Sequence, residues 1–405
     1  MHCAQAVNFY RNSNTSQNVS STAYKFPRTR WGLIPEILQR KNIDALVALS
    51  PANVAYTSGH HDYGISIIRD RISATILPCE GRPLYLVEEK VEGGAKRNSW
   101  IKDVITYRED AESPIRVLAS IVGSLSRRNR TIAIEREYLT AGFWEELSGL
   151  LPEIRFQDSS TELAKIRSIK TNEEISFIEF AVKATETAHL KVYHNISVGE
   201  KEIAIARKLR AQNLIQGADF VDFSTVATGI NTLESHHVPD ETPIRVGEVI
   251  NIDSGGKFLG YYSDMSRPVV IGKPSARQRS KWRKLRDVQR KGVESLRVGI
   301  RAGDVYSHLK RQKEYEDVFF YGHGLGLFVH DVPMLIQYST DATKTATTLS
   351  STWELEPDML VMIEFGLTDR EGGQAYHFED LVHVTEKGPR ILSTVIDTTE
   401  MFVIE

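Results

Sequence analysis

The sequence has little cysteine, no long apolar run and no surplus of charge of either sign. Its two cysteines, Cys3 and Cys79, cannot build a disulfide framework and show no metal-ligand spacing. A reducing, cytoplasmic compartment is the expectation. No stretch approaches the roughly 20 apolar residues that cross a bilayer, so no membrane partner is expected. Lys and Arg number 50 against 53 Asp and Glu, a net charge of -3. So near a balance leaves no electrostatic footprint for nucleic acid. The densest basic stretch, between Lys273 and Lys291, reads as the solvated face of a helix.

What is present is ordinary globular material: 405 residues, 41% hydrophobic and 25% charged, enough for two or three domains. Residues 1–25 are rich in Ser, Asn, Thr and Gln without an apolar core of signal-peptide length, and read as a polar arm. From 26 to about 160, short apolar runs (44–49, 72–77, 83–87, 131–134) alternate with helical patterns, which predicts an α/β domain. From 161 to 405 the character changes. Helical stretches at 161–194, restarted at Thr171-Asn-Glu-Glu, and at 200–216 precede a region dominated by strands and hairpins, with one helix over 276–296. The whole is an α+β chain.

Two hairpins in that second half carry acids. Val249-Ile-Asn-Ile-Asp253 is an apolar strand ending in a carboxylate. Gly255, Gly256 and Gly260 supply turn-permissive positions before Tyr261-Tyr-Ser-Asp264. Met359-Leu-Val-Met-Ile-Glu364 repeats the device, with a turn over 369–373 and a return strand bearing Glu379. Four converging carboxylates repel strongly in a low-dielectric interior unless cations neutralise them. Two divalent cations would do so. Between the hairpins lies Tyr321-Gly-His323-Gly-Leu-Gly, with His330 seven positions on. Its glycines are expected to let backbone approach a ligand and leave the imidazole unhindered. Carboxylates with one imidazole suit Mn, Fe, Co or Zn. His236 and His237 add imidazoles just before the first acidic strand.

The ordered series Ile252-Asp253-Ser-Gly255, Tyr262-Ser-Asp264-Met-Ser-Arg267, Gly322-His323-Gly324, Ile363-Glu364-Phe-Gly366 and Phe378-Glu379-Asp380 resembles the pita-bread metallopeptidases, in their prolidase and creatinase branch. Ser50-Pro-Ala-Asn53-Val-Ala-Tyr56 and Lys165-Ile-Arg167-Ser-Ile-Lys170 extend the resemblance over nearly the whole chain. It implies a pita-bread C-terminal domain behind a smaller creatinase-like N-terminal domain. It also implies a homodimer and two divalent metal ions, manganese first with cobalt, iron or zinc as alternatives. The implied metal ligands are Asp253, Asp264, His323, Glu364 and Glu379. Glu364 is implied as general base, and His237 and His330 as substrate-facing histidines.

Three positions depart from the family pattern: Phe365 stands in place of Pro, Asp331 in place of Glu, and His377 in place of an arginine common in proline-specific members. His377 is therefore expected to bind substrate, and it opens the question of what the substrate is. An Xaa-Pro dipeptidase acting on a dipeptide or small molecule is the first expectation. An enzyme of the ectoine hydrolase or dimethylsulfoniopropionate lyase kind is the alternative. A metal-free binding module would have broken ligand positions, and none is broken. His60, His61 and Tyr63 are further candidates to reach into the pocket.

Overall fold

The apolar run at 44–49 becomes β1 (Ala45–Ala48), buried at every residue as a strand covered on both faces must be. The structure, a computed structural model, describes residues 26–125 and 130–405; the expected polar arm, with Cys3, lies outside the described residues. After β1, Ser50 ends the strand and caps the next helix, Pro51–Ser58, by accepting the Asn53 N–H at 3.2 Å. The remaining runs form β2 (Ala74–Pro78), β3 (Leu84–Glu88), β4 (Asp103–Tyr107), β5 (Thr131–Ile134) and β6 (Arg155–Asp158). They build one mixed sheet in the order β4-β3-β2-β1-β5-β6.

The long helical stretch is two helices, Ser160–Ser168 and Asn172–Tyr193. Thr171 and Glu174 close a capping box at the start of the second, as the sequence predicts. Helix Glu202–Ile215 follows, and then two sheets. The first contains β7 (Phe220–Thr228), β8 (Val249–Phe258), β9 (Tyr261–Tyr262), β10 (Ser266–Ile271) and the late strand Phe402–Ile404. The second contains β11 (Val318–Gly324), β12 (Leu360–Asp369), β13 (Gln374–Thr385) and β14 (Gly388–Ile391), in sequential order.

One side chain splices the two sheets. The Asn251 amide, on β8, donates to the Ala375 carbonyl at 3.2 Å and accepts the His377 N–H at 3.1 Å. It thus stands in for a strand's own hydrogen bonds. β8 and β13 are held side by side, and the acids on both come to one place.

The basic helix, Ala276–Ser295, corrects an expectation. One face buries Trp282, Leu285, Val288 and Gly292. Several cations on the rest are paired rather than merely solvated: Arg277 with Asp369 and Glu371, and Lys281 and Lys284 with Asp317.

Candidate metal centre

Glu364 and Glu379 are direct partners across the β12–β13 pair. Side chains opposite each other on antiparallel strands project to the same face, so both carboxylates enter one space. The first acidic hairpin is built differently from the expectation. Its turn is Leu259-Gly260, both with positive φ (47° and 89°), and β9 pairs with β8 for only two residues. Gly255 serves the crossing instead of the turn: a Cβ there would lie 1.9 Å from the Ser263 carbonyl oxygen. The chain leaves the ladder between β9 and β10, so Asp253 pairs with Ser266 while Asp264 sits in the offset.

His323 lies on β11 rather than in a loop, paired with Met362. The flanking glycine also has another use than the one expected. A Cβ on Gly324 would lie 2.0 Å from the Val332 carbonyl oxygen, so it admits the returning backbone of this chain and not a ligand.

These elements bring all five expected ligands together. His323 Nε2 is 2.9 Å from Glu364 Oε1 and 3.5 Å from Asp264 Oδ2. Burial and mutual repulsion set the electrostatics. Burial raises Asp253 to about 6, with Glu364 adding to the rise. Burial and the Asp253 charge hold Asp264 well above the carboxylate range, and burial with Asp264 does the same to Glu379. Glu364 goes the other way: burial pushes it up, but His323 and His377 outweigh burial and hold it low. His323 is the counterpart, raised to about 9 against its own burial by Glu364 and Asp264.

The same residues pass a test for fitting metal. Asp253 Oδ1 and Glu379 Oε2 are buried without a hydrogen-bond partner, and Glu364 Oε1 and His323 Nε2, 2.9 Å apart, have none beyond each other. Buried polar atoms are normally satisfied. Ligand atoms of the kind that bind divalent cations, two of them without any partner and all gathered in one place, fit a pair of such ions. Asp253 and Glu364 open into a cavity of about 400 Å³ lined also by Tyr321, His330, His236, His237 and His377.

The remaining histidines divide among several positions. The His330 ring lies 4.1 Å from that of His323, and burial together with His323 lowers it to about 4. His237 has both nitrogens engaged elsewhere, Nε2 at 2.9 Å from Glu202 and Nδ1 at 3.0 Å from Glu234. Its neighbour His236, with φ 54°, lines the cavity and acts electrostatically on Asp253 and His330. His237 lines the same cavity, so both members of the doublet border it. His377 lines the cavity close to the carboxylates. His60, His61 and Tyr63 line a different cavity, of about 560 Å³, with Phe26, Asp219 and Leu259.

Two of the departures have structural accounts. Phe365 points away from the cavity into the core beside Tyr306, Phe320 and Gly292. Asp331 accepts from Arg167 Nη2 at 2.9 Å, and Arg167 also bonds Asn53. The segment carrying His330 is thereby tied to the helix that follows β1.

Comparison with known proteins agrees with this architecture. Residues 176–386 match the model of metallopeptidase family M24, and residues 30–169 that of the creatinase/prolidase N-terminal domain. The chain is 27% identical to an Xaa-Pro dipeptidase of Pyrococcus furiosus over 367 residues, 88% of this chain and 95% of that one. It is 29% identical to an Xaa-Pro dipeptidase of Lactobacillus helveticus over 308 residues, 74% of this chain and 82% of that one. The crystal structure of an X-Pro aminopeptidase from Thermotoga maritima superposes with a TM-score of 0.76 at 25% identity, covering 90% of this chain and 99% of that one. That of the prolidase from Pyrococcus horikoshii gives 0.76 and 25%, covering 90% and 98%. Among the described residues, no helix is long and apolar enough to cross a membrane. The fold is therefore the pita-bread fold behind a creatinase-type N-terminal domain, and the chain belongs to metallopeptidase family M24.

Proposed function

We propose that this chain is a two-metal hydrolase that cleaves the amide bond of a small substrate, in the manner of an Xaa-Pro dipeptidase. The observation that carries the reading is the gathering of buried ligand atoms on Asp253, Glu364, Glu379 and His323, those of Asp253 and Glu379 without any partner, where Asp253 and Glu364 border the cavity. With Asp264 they make the proposed ligand set. When bound, a cation pair at such ligands lowers the pKa of water and polarises a carbonyl. Manganese is the first choice, and cobalt, iron and zinc suit the same donors.

The chain's own groups do the rest. Glu364, beside the cavity, takes a proton from the attacking water and returns it to the leaving nitrogen. His330 and His236, at the cavity wall, donate hydrogen bonds to the substrate carbonyl oxygen as it gains charge. His237 supports this from behind, by anchoring the segment that carries His236 to Glu202. The chain is divided near residue 160, where the six-stranded sheet has ended at Asp158, into an N-terminal domain and a catalytic domain. A cytoplasmic homodimer completes the proposal, supported by the cysteine content and the resemblance; light scattering on the purified protein tests the assembly.

The test of function is metal analysis joined to a substrate panel. Two equivalents of transition metal per chain and turnover of Xaa-Pro dipeptides are the expected outcomes. His377 at the cavity wall favours one second reading, a specialised small molecule in place of the dipeptide. A bound metal pair without turnover of any Xaa-Pro dipeptide would select it. Less than one equivalent, unaltered by reconstitution, would end both readings.

A further inference from the structure

His377 stands closer to the carboxylates than a side chain that only touches substrate needs to. It lies two positions before Glu379 on β13, so both project to the same face. Its backbone is fixed from the neighbouring sheet: the N–H donates to Asn251 Oδ1 at 3.1 Å, and the carbonyl accepts from Ser266 Oγ at 3.4 Å. The ring then reaches three acids. Nε2 is 3.2 Å from Glu379 Oε1 and 3.4 Å from Glu364 Oε2, and Nδ1 is 3.9 Å from Asp253 Oδ2.

Those separations have a meaning in coordination geometry. Two donors about 2.1 Å from one cation stand about 3.0 Å apart at right angles and about 3.4 Å apart in a tetrahedron. The distances from Nε2 to the two glutamates fall in or near that interval. One ligand atom from each of Asp253, His377 and Glu379 lies within 4.8 Å of the others. A second observation is independent of the ring. Asp253 Oδ1 and Glu379 Oε2 are buried with no hydrogen-bond partner, and Glu379 is only 2% exposed.

We propose that His377 is a sixth protein ligand, its Nε2 joining Glu379 on one of the two cations while His323 serves the other. The inference rests on the two-metal reading above and adds to it. Each ion then has one imidazole, and the full set becomes four carboxylates and two imidazoles. Nitrogen donors shift preference away from Mn(II) toward Co(II) and Zn(II), compared with a site of oxygen alone. Both positions should therefore hold Co(II) more tightly than Mn(II), and loss of the His377 ring should weaken that preference at one of them only.

The experiment uses the full chain, stripped with a chelator and titrated with Co(II) under calorimetry and absorption spectroscopy. Wild type is expected to take up two equivalents, which tests the two-metal reading itself. His377→Ala should bind one of them at least about 10–100-fold more weakly, the loss typical when even an outer partner of a metal ligand is removed. The melting temperature of the metal-free protein should hardly change. His377→Cys supplies a second readout: a thiolate on Co(II) gives an intense near-ultraviolet charge-transfer band, expected with one equivalent only. Unchanged affinities in a folded His377→Ala overturn the proposal whatever the cysteine variant shows. Should the alanine variant fail to fold, absence of the band in His377→Cys overturns it. A wild type that takes one equivalent, with the band present in His377→Cys, would end the two-metal reading and leave His377 a ligand.

Discussion

Glu379 and Asp380 are neighbours on β13, yet their carboxylates face opposite sides of the sheet and meet opposite surroundings. Asp380 receives Arg267 Nη2 at 2.8 Å, Gln289 Nε2 at 2.6 Å and Ser393 Oγ at 2.7 Å. Glu379 has a buried oxygen with no hydrogen-bond partner, and burial with Asp264 holds its pKa well above the usual range. The two sides of one strand thus separate two uses of a buried charge. Behind the sheet, Asp380 is neutralised by the chain itself. In front, the chain leaves ligand atoms of Asp253 and Glu379 without a partner, a cost that a bound cation would offset. Arg267 marks the border: it pairs with Asp380, approaches Glu186 at 3.9 Å and also bonds the Glu379 carbonyl, but donates nothing to the Glu379 carboxylate.

The sharpest way to break this comparison is to neutralise one acid in front. Glu364→Gln should lower turnover by about 10²–10⁴-fold, the range for loss of a general base. Glu379→Gln should abolish one metal equivalent. Both changes remove charge from a repelling cluster, so the metal-free Glu379→Gln protein should melt no lower than metal-free wild type. A large drop in its melting temperature would show that Glu379 is held by partners of its own, as Asp380 is.

The opposite substitution lies behind the sheet. Arg267→Met leaves Asp380 and Glu186 buried without their cation. Breaking a buried pair from one side costs about 3–5 kcal/mol. Urea unfolding of the metal-free protein should register that loss, whereas Glu379→Gln should not.

How much of this could be read from the sequence depends on where regular spacing ends. The five proposed ligand positions were legible because the acids stand at strand ends and the histidine sits between glycines. The Glu364–Glu379 pairing was legible too, since a tight turn fixes the register of its hairpin. Asp264 was not placed correctly, because its offset depends on Gly255 passing against Ser263 rather than on a regular ladder. The His236–His237 doublet lies in irregular backbone with no periodicity to assign its faces. Asn251 gave no signal at all: its function as a splice between sheets exists only once both sheets are formed. His377 was legible as a departure, but its distance from three acids was not.

Metal addition is a milder test of the same contrast. A ligand that binds only the folded state stabilises it by RT ln(1 + [L]/Kd), about 2.7 kcal/mol at a hundredfold excess over Kd. Mn(II) or Co(II) should therefore raise the melting temperature of wild type and of Asp331→Asn alike. In Glu379→Gln the rise should shrink markedly. An equal rise in all three would place the stabilising ion outside the cavity.

The smallest effect concerns an acid neutralised by a histidine. Glu202 is fully buried and accepts from Thr228 N–H, Asn231 Nδ2 and His237 Nε2. Burial lowers the His237 pKa, but Glu234 and Glu202 together outweigh burial and leave it above the ordinary 6.5. A raised folded pKa means that the imidazolium contributes stability in full below that ordinary value, and loses it as pH rises through the folded one. His237→Gln keeps a hydrogen-bond donor but carries no charge. Its deficit against wild type, about 1 kcal/mol for a charge-assisted bond partly open to solvent, should be widest below the ordinary imidazole value and close as pH rises through the raised folded one. Thermal melts across that range measure it. A deficit independent of pH would mean that His237 holds the His236 segment by shape alone, and that Glu202 is neutralised by its neutral donors without a proton on the ring.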